Sequence, residues 1–394
     1  MLIGYKYTGY QEQRNIIGKI DAVEYAQVSD FFQIITNPSL SLNQKAHREI
    51  ITRLHLITRF YDFNLNRVDL IHLYNAISYG RTPWVTTFET CLPRFKNTLN
   101  CHHGNKPGYT ALKNDRKIKK ALQHLSGTAC KKIIAISECA ANIQRELLRE
   151  FPDYAANIEN KMVVLQPPQP LLVSRFSDKS ISLEGKIKFI FVGISFFQKG
   201  GIEVVETLKQ LKEQYGYKIE LILISALKFD NYATKKSPED VAKAECFIKQ
   251  NLDWITYYPS LPNHEVLELM KKAHVGLLPT YADTYGYVVL EFQAAGCPVI
   301  TTNIRALPEI NDNSKGWIIP VPKNRLGEAI YTTEGDRLKI SSAIRNGIEQ
   351  AVHQIFADKS LLIAKAEKAI TGIKESHHPL IFAEKMHKIY LSAV

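Results

Sequence analysis

Two carboxylates, Asp283 and Glu291, bracket a Tyr285 and Gly286 pair within the stretch from Pro279 to Thr302. An apolar run, Val275 to Leu278, precedes them and reads as a buried strand ending at Pro279. A polar loop closed by Gly286 follows, then a helix expected from about Tyr287 to Ala295 and stopped by Gly296. A second apolar strand, Pro298 to Thr301, comes at once. A helix that starts in a loop beyond a parallel strand turns its first backbone N–H groups outward, where they can hold a phosphate. Here those are the amides of Gly286, Tyr287 and Val288. Side chains on a helix lean toward its N-terminus, so Glu291, one turn in, can aim where Asp283 does. Carboxylates take sugar hydroxyls and helix amides take phosphates; a nucleotide sugar offers both. Taken singly, Asp283 could instead cap the helix and Glu291 could lie on a solvated face.

A second place for an anion opens the other half of this region. Phe189 to Gly193 reads as a strand, and a turn through Lys199, Gly200 and Gly201 leads into another helix. A plain glycine turn has the same pattern. His102 and His103 are adjacent, so on a strand or helix they point apart. No third ligand stands at metal spacing, and no metal site is expected.

Acid, seven residues, acid around Tyr285 and Gly286, followed by Ala294, Ala295, Gly296, Cys297, Pro298, Val299 and Ile300, resembles the signature of the retaining GT-B glycosyltransferases, specifically the large family 4. The family pattern begins with Glu, whereas this chain has the shorter Asp283. The resemblance implies that Asp283 meets the donor sugar's hydroxyls and Glu291 the ribose. It extends to the family's Val-Gly-Arg-x4-Lys-Gly element, in which Arg and Lys both bind the donor's diphosphate. Gly193, Lys199 and Gly200 match that element, but Ile194 occupies the Arg position. Losing one of two cations weakens diphosphate binding by roughly 1–3 kcal/mol, as for one charge-assisted hydrogen bond. Lys228, after the next strand, is one candidate to compensate. The segment Ala306, Leu307, Pro308, Glu309 is similar to the family's Gly-x-Pro-Glu loop. Lys188 to Glu309 carries the close resemblance; before it the likeness is topological. Where the family has a His at a strand end, this chain has Glu89 after Thr86, Thr87 and Phe88. A carboxylate there could stabilise an oxocarbenium-like centre or serve as base for the acceptor hydroxyl. It could equally pair with Arg94.

The elements that must position these residues alternate strand and helix twice over. Expected strands are Val68–Leu73, Trp84–Phe88, Ile133–Ser137 and Met162–Leu165, then Phe189–Gly193, Ile219–Ser225, Trp254–Tyr258, Val275–Pro279, Val299–Thr302 and Trp317–Pro320. Such alternation builds doubly wound parallel sheets, so the fold class is α/β, with two Rossmann-like domains as in GT-B proteins. Gln166 to Pro170 is proline-rich and suits a hinge. The first domain is placed at residues 1–173, joined by a terminal helix at 379–393, and the second at 174–375. By resemblance the first receives the acceptor and the second the donor, with closure about the hinge.

Composition bounds the partners. Of 394 residues 45% are hydrophobic and 23% charged, an ordinary globular balance. No apolar run is long enough to span a membrane, and the N-terminus lacks a signal-peptide pattern. Six cysteines without CxxC spacing point to a reducing cytoplasm. A net charge of +11 calls for an acidic partner. Seven basic residues crowd between Lys113 and Lys132, interleaved with Leu112, Ile118, Ala121, Leu122 and Leu125. The segment 112–132 therefore reads as a basic amphipathic helix for an anionic membrane surface, or as a solvated helix face. No helix-turn-helix, zinc-finger or RNP-like pattern suggests nucleic acid.

The expectation is a cytoplasmic, membrane-peripheral, metal-independent transferase that needs no cofactor beyond its UDP- or GDP-linked sugar donor. By resemblance it retains configuration and acts on a glycan or lipid-linked acceptor in surface polysaccharide or lipopolysaccharide assembly. Asp283, Lys199 and Glu89 are the candidate catalytic groups, with Gly193, Gly200, Tyr285, Gly286, Tyr287, Val288 and Glu291 binding the donor. Two rivals share the fold: a nucleotide-sugar epimerase, and a catalytically degenerate sugar-binding or scaffold subunit.

Overall fold

The computed structural model describes residues 1–32 and 57–394. The chain divides into two units, Met1–Pro168 with Pro379–Val394, and Gln169–His378. Each is built on a six-stranded parallel sheet.

The first sheet has the order β2-β1-β4-β6-β7-β8, from β1 (Leu2–Tyr5), β2 (Glu24–Gln27), β4 (Leu70–Tyr74), β6 (Trp84–Phe88), β7 (Cys130–Ala135) and β8 (Met162–Val164). Between them, β3 (Arg59–Phe60) and β5 (Ile77–Ser78) form a separate two-stranded parallel ribbon. The second sheet has the order β11-β10-β9-β12-β13-β14, from β9 (Ile187–Ser195), β10 (Ile219–Ala226), β11 (Ile255–Tyr258), β12 (Val275–Leu278), β13 (Val299–Thr302) and β14 (Trp317–Ile319). That is the doubly wound order in which strand sequence reverses direction between β9 and β12. The loops leaving these two neighbours diverge there, and open α/β sheets bind ligands at such a point.

Central strands are covered on both faces, which is why they read as unbroken apolar runs rather than alternating ones. All residues of β4, β6, β12 and β13 are buried. The ten expected strands all exist, with ends shifted by a few residues. The expectations contained no counterpart of β1, β2 or the β3–β5 ribbon. Among these, β2 has no fully buried residue, so it lacks the apolar run that marks the others.

The helix Pro379–Leu391 packs on the first unit. Phe382, Met386 and Tyr390 are buried beside Ile3, Leu70, Val85 and Ile134. Burying each such apolar side chain contributes about 1.5–3 kcal/mol. Tyr390 also bonds His72 Nδ1 at 2.6 Å, while His72 Nε2 lies 2.8 Å from Thr87 Oγ1. The basic segment is less extended than its sequence suggests. Its helix covers only Arg116–Ser126, Leu112 ends a short 3-10 turn, and Lys131 and Lys132 lie on β7. Ile118, Ala121, Leu122 and Leu125 are fully buried, so this helix has no apolar face left for a bilayer. What it presents outward is charge.

Candidate functional site

The site on the second unit is assembled by two loops, one leaving β9 and one leaving β12. Strand β9 ends through Gly193, Ile194 and Ser195, and the turn that follows closes with Lys199 N donating to Ser195 O at 3.0 Å and Gly200 N to Phe197 O at 3.0 Å. Gly200 then starts the helix Gly201–Tyr215 in the left-handed conformation, φ 80°. A side chain is excluded there twice over: φ is positive, and a Cβ would fall 2.2 Å from Pro279 O. The close approach of Gly200 to Pro279 is what brings the two loops together.

Hydrogen bonds lace the loops further. Tyr281 N donates to Gln198 O at 2.9 Å, and Gln198 Nε2 donates to Ala282 O at 3.1 Å. Thr280 Oγ1 donates to Gln198 O at 3.0 Å. Lys199 reaches across the same seam, its Nζ 2.9 Å from Ala282 O and 2.7 Å from Asp283 Oδ2. Gly193 leaves room for the lysine stem, since a Cβ there would sit 2.9 Å from Lys199 Cγ. Both charged groups remain partly open, with side-chain exposures of 18% and 16%. Asp283 Oδ1 meanwhile accepts from Tyr285 N at 3.2 Å, which fixes the carboxylate at the loop's mouth.

Gly286, at φ 88°, begins the helix Tyr287–Ala294. Its missing Cβ would meet Leu307 Cδ2 at 2.5 Å, so this turn also admits only glycine. By position the first amides of the helix have no acceptor within it. Tyr287 and Val288, in that first turn, are half-buried, and Glu291 is 8% exposed one turn further on. Tyr285 is 1% exposed, with its ring 5.1 Å from that of Tyr287. It packs in the core of the unit under the loop, so its side chain acts by holding the turn.

Thus Gly193, Lys199, Gly200, Asp283, Gly286, Tyr287, Val288 and Glu291 gather at the carboxyl ends of the central strands β9 and β12 of the second sheet. Ile194 also lies there, 82% exposed, presenting an apolar side chain to water where the family has a cation. Lys228 is exposed on the loop beyond β10, the next strand over. Glu89 belongs to the first unit. It follows β6, its amide donates to Asn75 Oδ1 at 3.1 Å, and its carboxylate pairs with Arg94 at 2.8 Å. His102 is 1% exposed, edge-on to Tyr109. Among the described residues no group of three His, Cys, Asp or Glu side chains could hold a metal ion.

Several supports escaped the sequence reading. Glu203, 3% exposed, accepts from Tyr281 and from Ser341, each at 2.7 Å. Burial, then the Glu203 carboxylate, pushes the Tyr281 hydroxyl well above its ordinary pKa, so it stays a donor. Thr302 Oγ1 donates to Thr280 O at 2.7 Å, tying β13 to the loop. In the first unit, Lys6 and Asp30 form a buried pair at 2.6 Å. Lone polar residues of these kinds carry no pattern in sequence.

Residues 174–350 match the model of the family described as glycosyl transferases group 1. Curated relatives match shorter parts of the chain. A glycogen synthase of Mycobacterium tuberculosis is 25% identical over 145 residues, 37% of this chain and 33% of that protein. The chain therefore matches only about a third of that relative's length. Two solved structures follow the whole chain. Anabaena Alr3699/HepE, in complex with UDP and glucose, has a TM-score of 0.57 at 13% identity and covers 100% of this chain and 99% of its own. WaaG, a glycosyltransferase involved in lipopolysaccharide biosynthesis, has a TM-score of 0.56 at 15% identity, covering 98% and 99%. With two parallel Rossmann-like sheets and these likenesses, the fold is GT-B.

Proposed function

We propose that the protein is a glycosyltransferase whose group 1 domain binds a nucleoside-diphosphate sugar. The observation that carries this reading is the Lys199–Asp283 pair beside two helix starts at the β9/β12 reversal. It sets a cation and outward amides where a diphosphate would lie and carboxylates where hydroxyls would lie. As the sugar–phosphate bond breaks, charge grows on the leaving diphosphate, and Lys199 with the amides near Gly286–Val288 would stabilise it. Asp283 would then exchange part of its contact with Lys199 for a sugar hydroxyl, and Glu291 would receive the ribose. Glu89, held by Arg94, would steady the developing positive charge or orient the acceptor. We further propose transfer with retention, without a metal ion, to a glycan or lipid-linked acceptor of surface polysaccharide or lipopolysaccharide assembly. The work would be done on the cytoplasmic face of the membrane, with UDP or GDP as the nucleotide. UDP is favoured by the HepE complex.

The test is thermal stabilisation by UDP, GDP and their sugars, without metal, on the native protein and on Glu291→Ala. One nucleotide is expected to raise the melting temperature of the first and not the second. A flat response to every nucleotide would overturn the donor site and leave a sugar-binding or scaffold role. Release of a free epimer without acceptor would instead indicate an epimerase.

A further inference from the structure

The helix Arg116–Ser126 buries one side and leaves another over a groove. Lys117, Lys120 and His124 recur at helical spacing on that side. Three cavities of about 300, 580 and 760 Å³ adjoin along it. The first and second share Lys117; the second and third share Tyr79 and His124. Together they make one track running the length of the helix, from the Phe95–Asn97 turn beyond β6 down to the loop that enters β7.

The track is cationic. Arg59, Arg81, Arg116, Lys117, Lys120 and Lys131 line it, and none makes an ion pair among the described residues. Among the described residues Asp115 is the one acid on its walls, and that carboxylate is occupied in capping the helix, accepting from Lys117 N at 2.8 Å and Ile118 N at 3.2 Å. Arg59 lies 5.1 Å over the Phe95 ring, and its buried Nε has no hydrogen-bond partner. Rings form the floor of the middle cavity, where Tyr79 lies 4.7 Å from His124 and 6.4 Å from Phe32. Lys120 Nζ stands 6.0 Å above Tyr79.

We infer that this groove binds an extended anionic glycan, the non-reacting part of an acidic acceptor chain. The inference rests on the transferase reading. Cations spaced along a track match carboxylates or phosphates repeated along a chain, and the ring edges in the middle cavity offer apolar contact to its sugars. A membrane fits less well, because the apolar side of the helix is buried and the charges line a concavity. Single-stranded nucleic acid needs open ring faces at intervals, whereas these rings cluster in one cavity and meet edge-on or tilted.

The experiment measures binding of a labelled oligogalacturonate by the whole protein at rising salt. A neutral malto-oligosaccharide, phosphatidylglycerol vesicles and oligouridylate serve as competitors. The native protein is expected to bind the oligogalacturonate, with affinity falling as salt rises. Lys117→Glu with Lys120→Glu should weaken it by at least about tenfold. Tyr79→Ala should weaken it several-fold while leaving the salt dependence unchanged. The nucleotide-induced melting shift, read on the same variants, should stay as in the native protein. Binding indifferent to both variants, or stronger displacement by vesicles or oligouridylate than by unlabelled oligogalacturonate, would overturn the groove. A lost nucleotide shift in the native protein, with oligogalacturonate binding intact, would count against the donor site and spare the groove.

Discussion

Ile194 is the residue where sequence, geometry and chemistry part company. It points into water at 82% exposure near the end of β9, at the place where the motif it resembles has an Arg. Ile194→Arg should therefore tighten nucleoside-diphosphate binding by about 1–3 kcal/mol, the value of one charge-assisted contact. Titration calorimetry would read this, and unchanged affinity would show that the diphosphate lies elsewhere. Gly200 makes the opposite kind of prediction. Gly200→Ala forces φ 80° on an alanine and drives its Cβ against Pro279 O. It should cost at least about 1–3 kcal/mol, which for a domain of this size is about 2–4 °C in melting temperature per kcal/mol. A variant as stable as the native protein would refute the close approach of the two loops. Lys199, Asp283, Gly286 and Glu291 could be proposed from sequence because each stands in a strand–loop–helix context that repeats a motif. Glu203, Ser341 and Thr302 were not, because contacts across long sequence separations leave no local spacing to read.

At the scale of elements, buried apolar strands were the most legible feature and the amphipathic helix the least. The helix Arg116–Ser126 shows the same periodicity whether its apolar side meets a bilayer or its own sheet; only packing decides, and here the sheet has it. Edge strand β2, half-exposed, lacks the apolar run that betrayed the others. Two buried histidines, His72 on β4 and His274 just before β12, predict a pH response. Burial pushes His72 down to about 3. Burial first, with nearby Lys179 and Lys188 adding to it, pushes His274 down to about 4. In the unfolded chain both titrate near 6.5. As pH falls from about 6.5 toward 4, the unfolded chain takes up protons that the native chain refuses, so stability must fall over that window. Denaturant titrations at pH 7 and pH 5 should show this drop. His274→Gln should reduce it, and an undiminished drop would assign the slope to other groups.

At the scale of the whole molecule, the units differ in how the chain supplies them. Gln169–His378 is one continuous segment, whereas the first unit needs Pro379–Val394 as well as Met1–Pro168. Residues 169–378 expressed alone should fold cooperatively and keep the nucleotide-induced melting shift. Residues 1–168 alone should not reach a stable native state, since Ile3, Leu70 and Val85 would lose the cover of Phe382, Met386 and Tyr390. Sharp amide spectra from 1–168, or none from 169–378, would reverse this assignment. No local pattern tells which unit a terminal amphipathic helix will join. On a ribosome this connectivity inverts the order of manufacture. The half translated second can be completed first, while the half translated first must wait, its sheet uncovered, until residues 379–391 emerge. Stalling translation before Pro379 would strand a nascent chain with a finished second unit and an unfinished first one, whose uncovered apolar sheet is the kind of surface chaperones hold.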